Sequence, residues 1–199
     1  FRPFPYIHHK PNGHTTMPTY QESLALFHTW TIGESLRKHA YAVEAAVAYY
    51  ARLFREDENL WRITALLHDM DYERHKSPEE HPFVGVKVLE ALGYPSEVCE
   101  AILGHATYSG VPRTSLLAKT LFACDELAGF ITAIAYMRPD KLKGMEVKSV
   151  KKKLKDKAFA AAVSREDIRL GAEELGIGMD IHIANVIAGM QAQAERLGF

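Results

Sequence analysis

Between Thr114 and Met137 the chain is apolar on nearly every side of a helical wheel, through Leu116, Leu117, Leu121, Phe122, Leu127, Phe130 and Ile131. A helix of that composition has no polar face to offer water, so other elements must surround it. This makes it the buried central element of the fold. Arg138-Pro139-Asp140 stops it. Most of the remaining chain also reads at helical period. Thr19 and Glu22 form a capping box that opens a first helix. A long helix is expected from Glu34 to Phe54, with Leu36, Ala40, Val43 and Val47 on one apolar face. Further helices are expected at about Asn59–His68, Pro82–Leu92, Ser96–His105, Val147–Val163, Glu166–Leu175 and Asp180–Leu197, with Gly93, Pro95, Gly110 and Pro112 as punctuation. No alternating strand pattern competes, so the fold class read from the sequence is all-α.

At 199 residues the chain is of a size for one domain with one core. Residues 17–199 are expected to form it. Residues 1–16 differ, with Pro3, Pro5 and Pro11, the aromatics Phe1, Phe4 and Tyr6, and three histidines. They read as an ordered arm whose aromatics dock on the body or on a second subunit of a homodimer. Met17 offers an alternative start, in which case the arm is not native. A formal net charge of −1 argues against a whole-surface nucleic-acid binder. Two cysteines, Cys99 and Cys124, imply no disulfide framework and suit a reducing, cytoplasmic setting. No apolar run approaches the roughly 20 residues of a spanning helix, so no membrane partner is expected.

The chemistry resides in His39, the adjacent pair His68 and Asp69, His105 and Asp125, with His81 as a sixth residue. Imidazoles and carboxylates together suit divalent manganese, iron, cobalt, nickel or zinc better than calcium. Neighbours on a helix diverge by about 100°, so only an ion near the helix end can meet both His68 and Asp69. His39 lies beside an apolar stripe. Asp125 sits within Phe122-Ala123-Cys124-Asp125-Glu126-Leu127-Ala128, where an uncompensated carboxylate would be costly. Singly, each residue admits a plainer role: His39 as a satisfied core histidine, His68-Asp69 as a helix terminus, Asp125 paired with Lys119 or Arg113.

Together, His39, His68-Asp69 and Asp125 resemble the H…HD…D signature of the HD superfamily of metal-dependent phosphohydrolases. The resemblance covers roughly His39 to Gly129. Leu66-Leu67-His68-Asp69-Met70-Asp71 is similar to the family's apolar-HD core, His81-Pro82-Phe83-Val84-Gly85 to its later histidine before a glycine-containing helix, and Ile102-Leu103-Gly104-His105 to the next histidine-bearing helix end. It implies a compact helical bundle with a central metal cleft. One ion would be held by His39, His68, Asp69 and Asp125, and a second ion, as in dinuclear members, through His81 and His105. The implied activity is hydrolysis of a phosphoester on a small molecule such as a nucleotide. Asp71 is then a candidate for orienting the attacking water, and His105 for binding the substrate phosphate if no second ion is present. Two other functions remain open on the same scaffold: a di-iron oxygenase, which needs both His81 and His105 as ligands, and a metal-bearing regulatory module without turnover.

Phosphate needs fixed positive charge, which Arg37, Lys38, Arg74, Lys76, Arg113 and Lys119 can supply. Lys119, six residues before Asp125, is the best placed of these. The polar stretch Tyr72–Glu80 is either a loop that closes over substrate or a plain connection, and Thr107-Tyr108-Ser109 is a second polar loop able to meet a sugar or base. Eight lysines between Lys141 and Lys157 face only Glu146 and Asp156. Since Val147, Val150, Leu154, Ala158 and Ala161 form an apolar stripe, those lysines are the solvated face of a packed helix.

Overall fold

The computed structural model describes residues 17–199, and the N-terminal arm lies outside them. The described residues are all-α. The helices are α1 (Tyr20–Trp30), α2 (Glu34–Phe54), α3 (Glu58–Leu67), α4 (Phe83–Ala91), α5 (Ser96–His105), α6 (Leu116–Met137), α7 (Val147–Leu154), α8 (Arg165–Leu175), α9 (Met179–Gln191) and α10 (Ala194–Leu197), with a 3-10 turn at Thr107–Ser109. Local chemistry sets many of the starts. Thr19 and Glu22 close their capping box on α1, while Asp57, Ser115 and Ser164 accept backbone N–H bonds at the openings of α3, α6 and α8.

Two long helices organise the rest. α2 packs on α3, α6 and α9, and α6 packs on α2, α5 and α8. The approach is close where glycine permits it. A Cβ on Gly189 of α9 would stand 2.7 Å from the Ala45 carbonyl oxygen of α2, and one on Gly171 of α8 would stand 2.6 Å from the Ala123 Cα of α6. Backbone meets backbone at both crossings, so a side chain at either glycine would force the helices apart. α6 is long and apolar enough, by length and composition, to cross a membrane, which qualifies the expectation that no run approaches that length. In this fold 61% of its most apolar window is buried among the other helices.

Two buried polar side chains outside the cleft are held by several partners each. Glu44 of α2, 1% exposed, accepts hydrogen bonds from Tyr20 of α1, Arg62 of α3 and Arg196 of α10. His182 of α9 bonds the Tyr50 hydroxyl at 2.7 Å and the Ala123 carbonyl at 2.8 Å, tying α9 to both central helices and away from the cleft.

Two expected helices end early. α7 stops at Leu154, not Val163. Ala158 and Ala161, the far end of the proposed stripe, are exposed. Over 155–163 the chain turns, with the Asp156 carboxylate accepting the Phe159 N–H, and Arg165 donates to the carbonyls of Asp156, Phe159, Ala160 and Val163. That guanidinium takes the place of the helical hydrogen-bond ladder. The expected Asp180–Leu197 helix breaks at Ala192–Gln193 into α9 and α10, which brings Arg196 to Glu44 and to the Tyr20 hydroxyl.

Candidate metal centre

His68 caps the C-terminus of α3 in helical geometry and Asp69 follows it, so the pair stands at the helix end, where both side chains reach one point. His39 reaches that point from α2 and Asp125 from α6. The His39 Nε2 lies 2.9 Å from Asp125 Oδ1 and 3.7 Å from Asp69 Oδ2. The His68 Nε2 lies 3.5 Å from Asp69 Oδ2 and 3.4 Å from Asp125 Oδ1. A second group gathers on the other oxygen of the same carboxylate: His81 Nε2 at 3.2 Å and His105 Nε2 at 3.3 Å from Asp69 Oδ1. Asp69 is shared between the two groups.

These separations are what a divalent ion would need. Donor atoms about 2.1 Å from a common centre stand about 3.0–3.4 Å from one another in octahedral or tetrahedral arrangement. His68 Nε2 is buried and has no hydrogen-bond partner among the described residues, an orphan that a metal bond would satisfy. The other ring nitrogens are already committed. His68 Nδ1 bonds the Ala65 carbonyl at 2.7 Å, and His105 Nδ1 bonds the Ile102 carbonyl, in each case three residues back on its own helix. His81 Nδ1 bonds Asp71 Oδ1 at 2.7 Å. Each bond leaves the Nε2 lone pair aimed at the cluster. The donor set and its geometry fit divalent metal, and the described residues form two ligand groups that have Asp69 in common.

Electrostatics say the same. Burial opposes charge on His68, yet the Asp69 and Asp125 carboxylates outweigh it and raise its pKa to about 9. For His81, burial is again overcome, by Asp69 and Asp71, and the pKa also rises to about 9. His39 is raised by Asp125 against its burial. Burial would raise Asp69 and Asp125, but the surrounding histidines, His68 foremost, hold both below the ordinary carboxylate range. Protons on imidazoles balance the carboxylates where an ion would otherwise do so.

Two sequence expectations are corrected here. Asp71 is 1% exposed and uses both oxygens, one on His81 Nδ1 and the other on the Gly85 N–H at 2.7 Å, so it stands behind a histidine and cannot reach an attacking water. Its place explains Gly85, where a Cβ would sit 3.0 Å from the Asp71 carboxylate. Lys119 lines a separate depression with Arg113 and Glu174. Six residues turn a helix by about 600°, which points Lys119 roughly 120° away from Asp125.

The cluster forms the floor of a cleft of about 500 Å³, whose walls include Ser35, Leu36, Lys38, Tyr72, Tyr108, Glu126, Thr132, Tyr136 and Asp167. Of the six cations considered from the sequence, Lys38 alone lines it. Arg37 and Arg74 instead donate to carbonyls of the α1 end, and Arg113 pairs with Glu174 at 2.6 Å. The stretch after the HD pair is pinned: Glu73 accepts the Ile32 and Gly33 N–H groups at the start of α2, as a fixed connection. Glu126, Thr132, Tyr136 and Asp167 were not singled out from the sequence. Burial and then the neighbouring Asp125 push Glu126 up to about 7.

The family model of the HD domain matches residues 36–129, the span that holds all six clustered side chains. Neither a curated protein nor a solved structure matches the chain. HD domains bind divalent metals and belong to a superfamily of metal-dependent hydrolases. The chain is an HD-domain protein, with that domain at residues 36–129.

Proposed function

We propose that the chain is a metal-dependent phosphohydrolase that cleaves a phosphoester of a small molecule. The observation that supports this reading is the pair of histidine groups sharing Asp69 at the floor of an open cleft. His39, His68, Asp69 and Asp125 would hold one manganese, iron, cobalt, nickel or zinc ion, and Asp69, His81 and His105 a second. Bound there, such ions supply Lewis acidity toward a phosphoryl oxygen and lower the pKa of water from about 16 toward 7. The protein supplies the rest. The carbonyls of Ala65 and Ile102 and the carboxylate of Asp71 fix the three imidazoles, so the donors need no reorganisation during the reaction. The water oxygen forms a new bond to phosphorus, the ester P–O bond breaks, and its electron pair leaves on the alcohol oxygen, which takes a proton. A reducing, cytoplasmic setting belongs to this proposal and suits the buried free Cys99 and Cys124.

A second reading is favoured by the same six residues, because a di-iron oxygenase requires both His81 and His105 beside the bridging carboxylate. The deciding experiment adds manganese, cobalt, nickel or magnesium to chelator-stripped protein and measures phosphate release over nucleotides and sugar phosphates. Release that vanishes in Asp69→Asn supports the hydrolase. Two irons per chain with oxygen consumption and no phosphate release would move the assignment to the oxygenase. Bound metal with neither activity would leave a regulatory module.

A further inference from the structure

From Lys141 to Lys157 eight lysines stand against Glu146 and Asp156, a net charge of +6. The whole chain carries −1, so its other residues together carry −7. Positive charge is concentrated in one segment, which lies outside the family-matched span and outside the cleft.

α7 turns that composition into a surface. Lys148, Lys151, Lys152 and Lys155 follow at i, i+3, i+4 and i+7, so they share one helix face, and all four are exposed. The opposite face is anchored: Val150 is fully buried, and Val147 and Leu154 pack against the core. The helix therefore cannot turn to hide its lysines. With Asp180 of α9 they line a depression of about 400 Å³, four ammonium groups against one carboxylate.

Packing gives no reason for this stripe. α8 shows the usual way to cover an exposed helix face, with Arg169 paired to Glu166 and to Glu173, each at 2.6 Å. On α7 the helical neighbours are like-charged: Lys148 faces Lys151 and Lys152, and both of those face Lys155. Each such pair costs helix stability. Lys148 meets Glu146 and Lys151 meets Asp180, each at 2.7 Å, but both pairs are exposed and weakened by water and salt. Lys152 and Lys155 have no ion pair among the described residues. A bound polyanion would remove the repulsion.

Shape and residue type select which polyanion. The stripe carries no apolar side chain to enter a bilayer. Its lysines border a hollow, which suits a ridge of charge better than a flat membrane. Between Lys148 and Lys155 the helix rises about 10 Å, over which one strand of a duplex presents about three phosphates. Lysine is a point charge without the guanidinium fork that reads a base edge, and no aromatic ring lies in the stripe to stack an unpaired base.

We infer that the α7 lysine face docks on the phosphate backbone of a nucleic-acid duplex, independently of sequence, through Lys148, Lys151, Lys152 and Lys155. This surface is separate from the metal centre and does not depend on the reaction there.

The test follows fluorescence anisotropy of a labelled DNA duplex of about 20 base pairs with metal-loaded protein, between about 50 and 200 mM salt. Contacts from four lysines predict a slope of log K against log salt of about −3 to −4, a loss of about 100-fold over that range. Lys152→Gln with Lys155→Gln should make the slope shallower by about 2. Arg55→Gln with Lys87→Gln removes the same charge from exposed positions elsewhere and should leave the slope unchanged. Both double variants should keep wild-type metal content and phosphate release. No binding at about 50 mM salt, or the same slope in the two double variants, would overturn the inference. Tighter binding to phosphatidylserine vesicles than to the duplex would also overturn it and assign the face to a membrane. The hydrolase reading is tested separately, by phosphate release.

Discussion

Replacing Asp71 with Asn separates two roles for this residue. The carboxylate divides its oxygens between two donors, His81 Nδ1–H and Gly85 N–H, each at 2.7 Å, in a pocket where it is 1% exposed. Asparagine keeps the shape but has one acceptor oxygen, and its amide nitrogen would face an N–H. One buried donor then loses its partner, at about 1–3 kcal/mol. If His81 is the loser, its ring is free to turn and the second ion should bind about 10–100-fold more weakly. The first position, built from His39, His68, Asp69 and Asp125, has no bond to Asp71 and should keep its affinity. Calorimetric titration of chelator-stripped protein with manganese would resolve the two affinities. Equal weakening of both, or of neither, would refute the positioning role. Full occupancy of both with turnover lost would return Asp71 to the water-orienting role that the sequence suggested.

Three other outcomes follow from the geometry. In chelated protein His68 and His81 have folded pKa values of about 9 against an ordinary 6.5, so the folded chain holds the extra protons. Their stabilisation is complete below about pH 6.5 and is lost as pH rises through about 9. The Tm of chelated protein should fall over that window, and divalent metal, which binds the deprotonated rings, should reverse the slope; a flat or rising Tm without metal would contradict the assignment. Gly171→Ala and Gly189→Ala should each cost about 1–3 kcal/mol in urea denaturation, because the added Cβ meets backbone at 2.6 and 2.7 Å, and a neutral result at either would refute the close crossing. Lys119→Met should retain metal and phosphate release, since Lys119 faces a different depression, and a large loss would place it back in the site.

Much of the centre could be read from the chain because buried polarity is costly. Asp125 within an apolar run and His39 beside an apolar stripe both demanded partners, and the helix breaks after Leu67 and His105 put His68 and His105 at helix ends. What could not be read was direction. Asp71 sits two residues from Asp69 and looked available to water, but the bonds it makes to His81 and to the backbone N–H of Gly85 are invisible in a sequence. Lys119 was chosen by proximity along the chain, where the helical angle already argued against it. The same arithmetic would have found Thr132 and Tyr136, at i+7 and i+11 from Asp125. Asp167 carried no such signal, since α8 reaches the cleft only through its packing on α6. The break between α9 and α10 has no glycine or proline to mark it and follows from tertiary contacts of Arg196.

The central claim is that Asp69 joins two metal positions, and elemental analysis of metal-reconstituted protein beside its Asp69→Asn variant tests it most directly. Two ions per chain in the wild type and a loss at both positions in the variant are the predicted result. A wild type that binds no metal, or a variant that keeps the full complement, would contradict it.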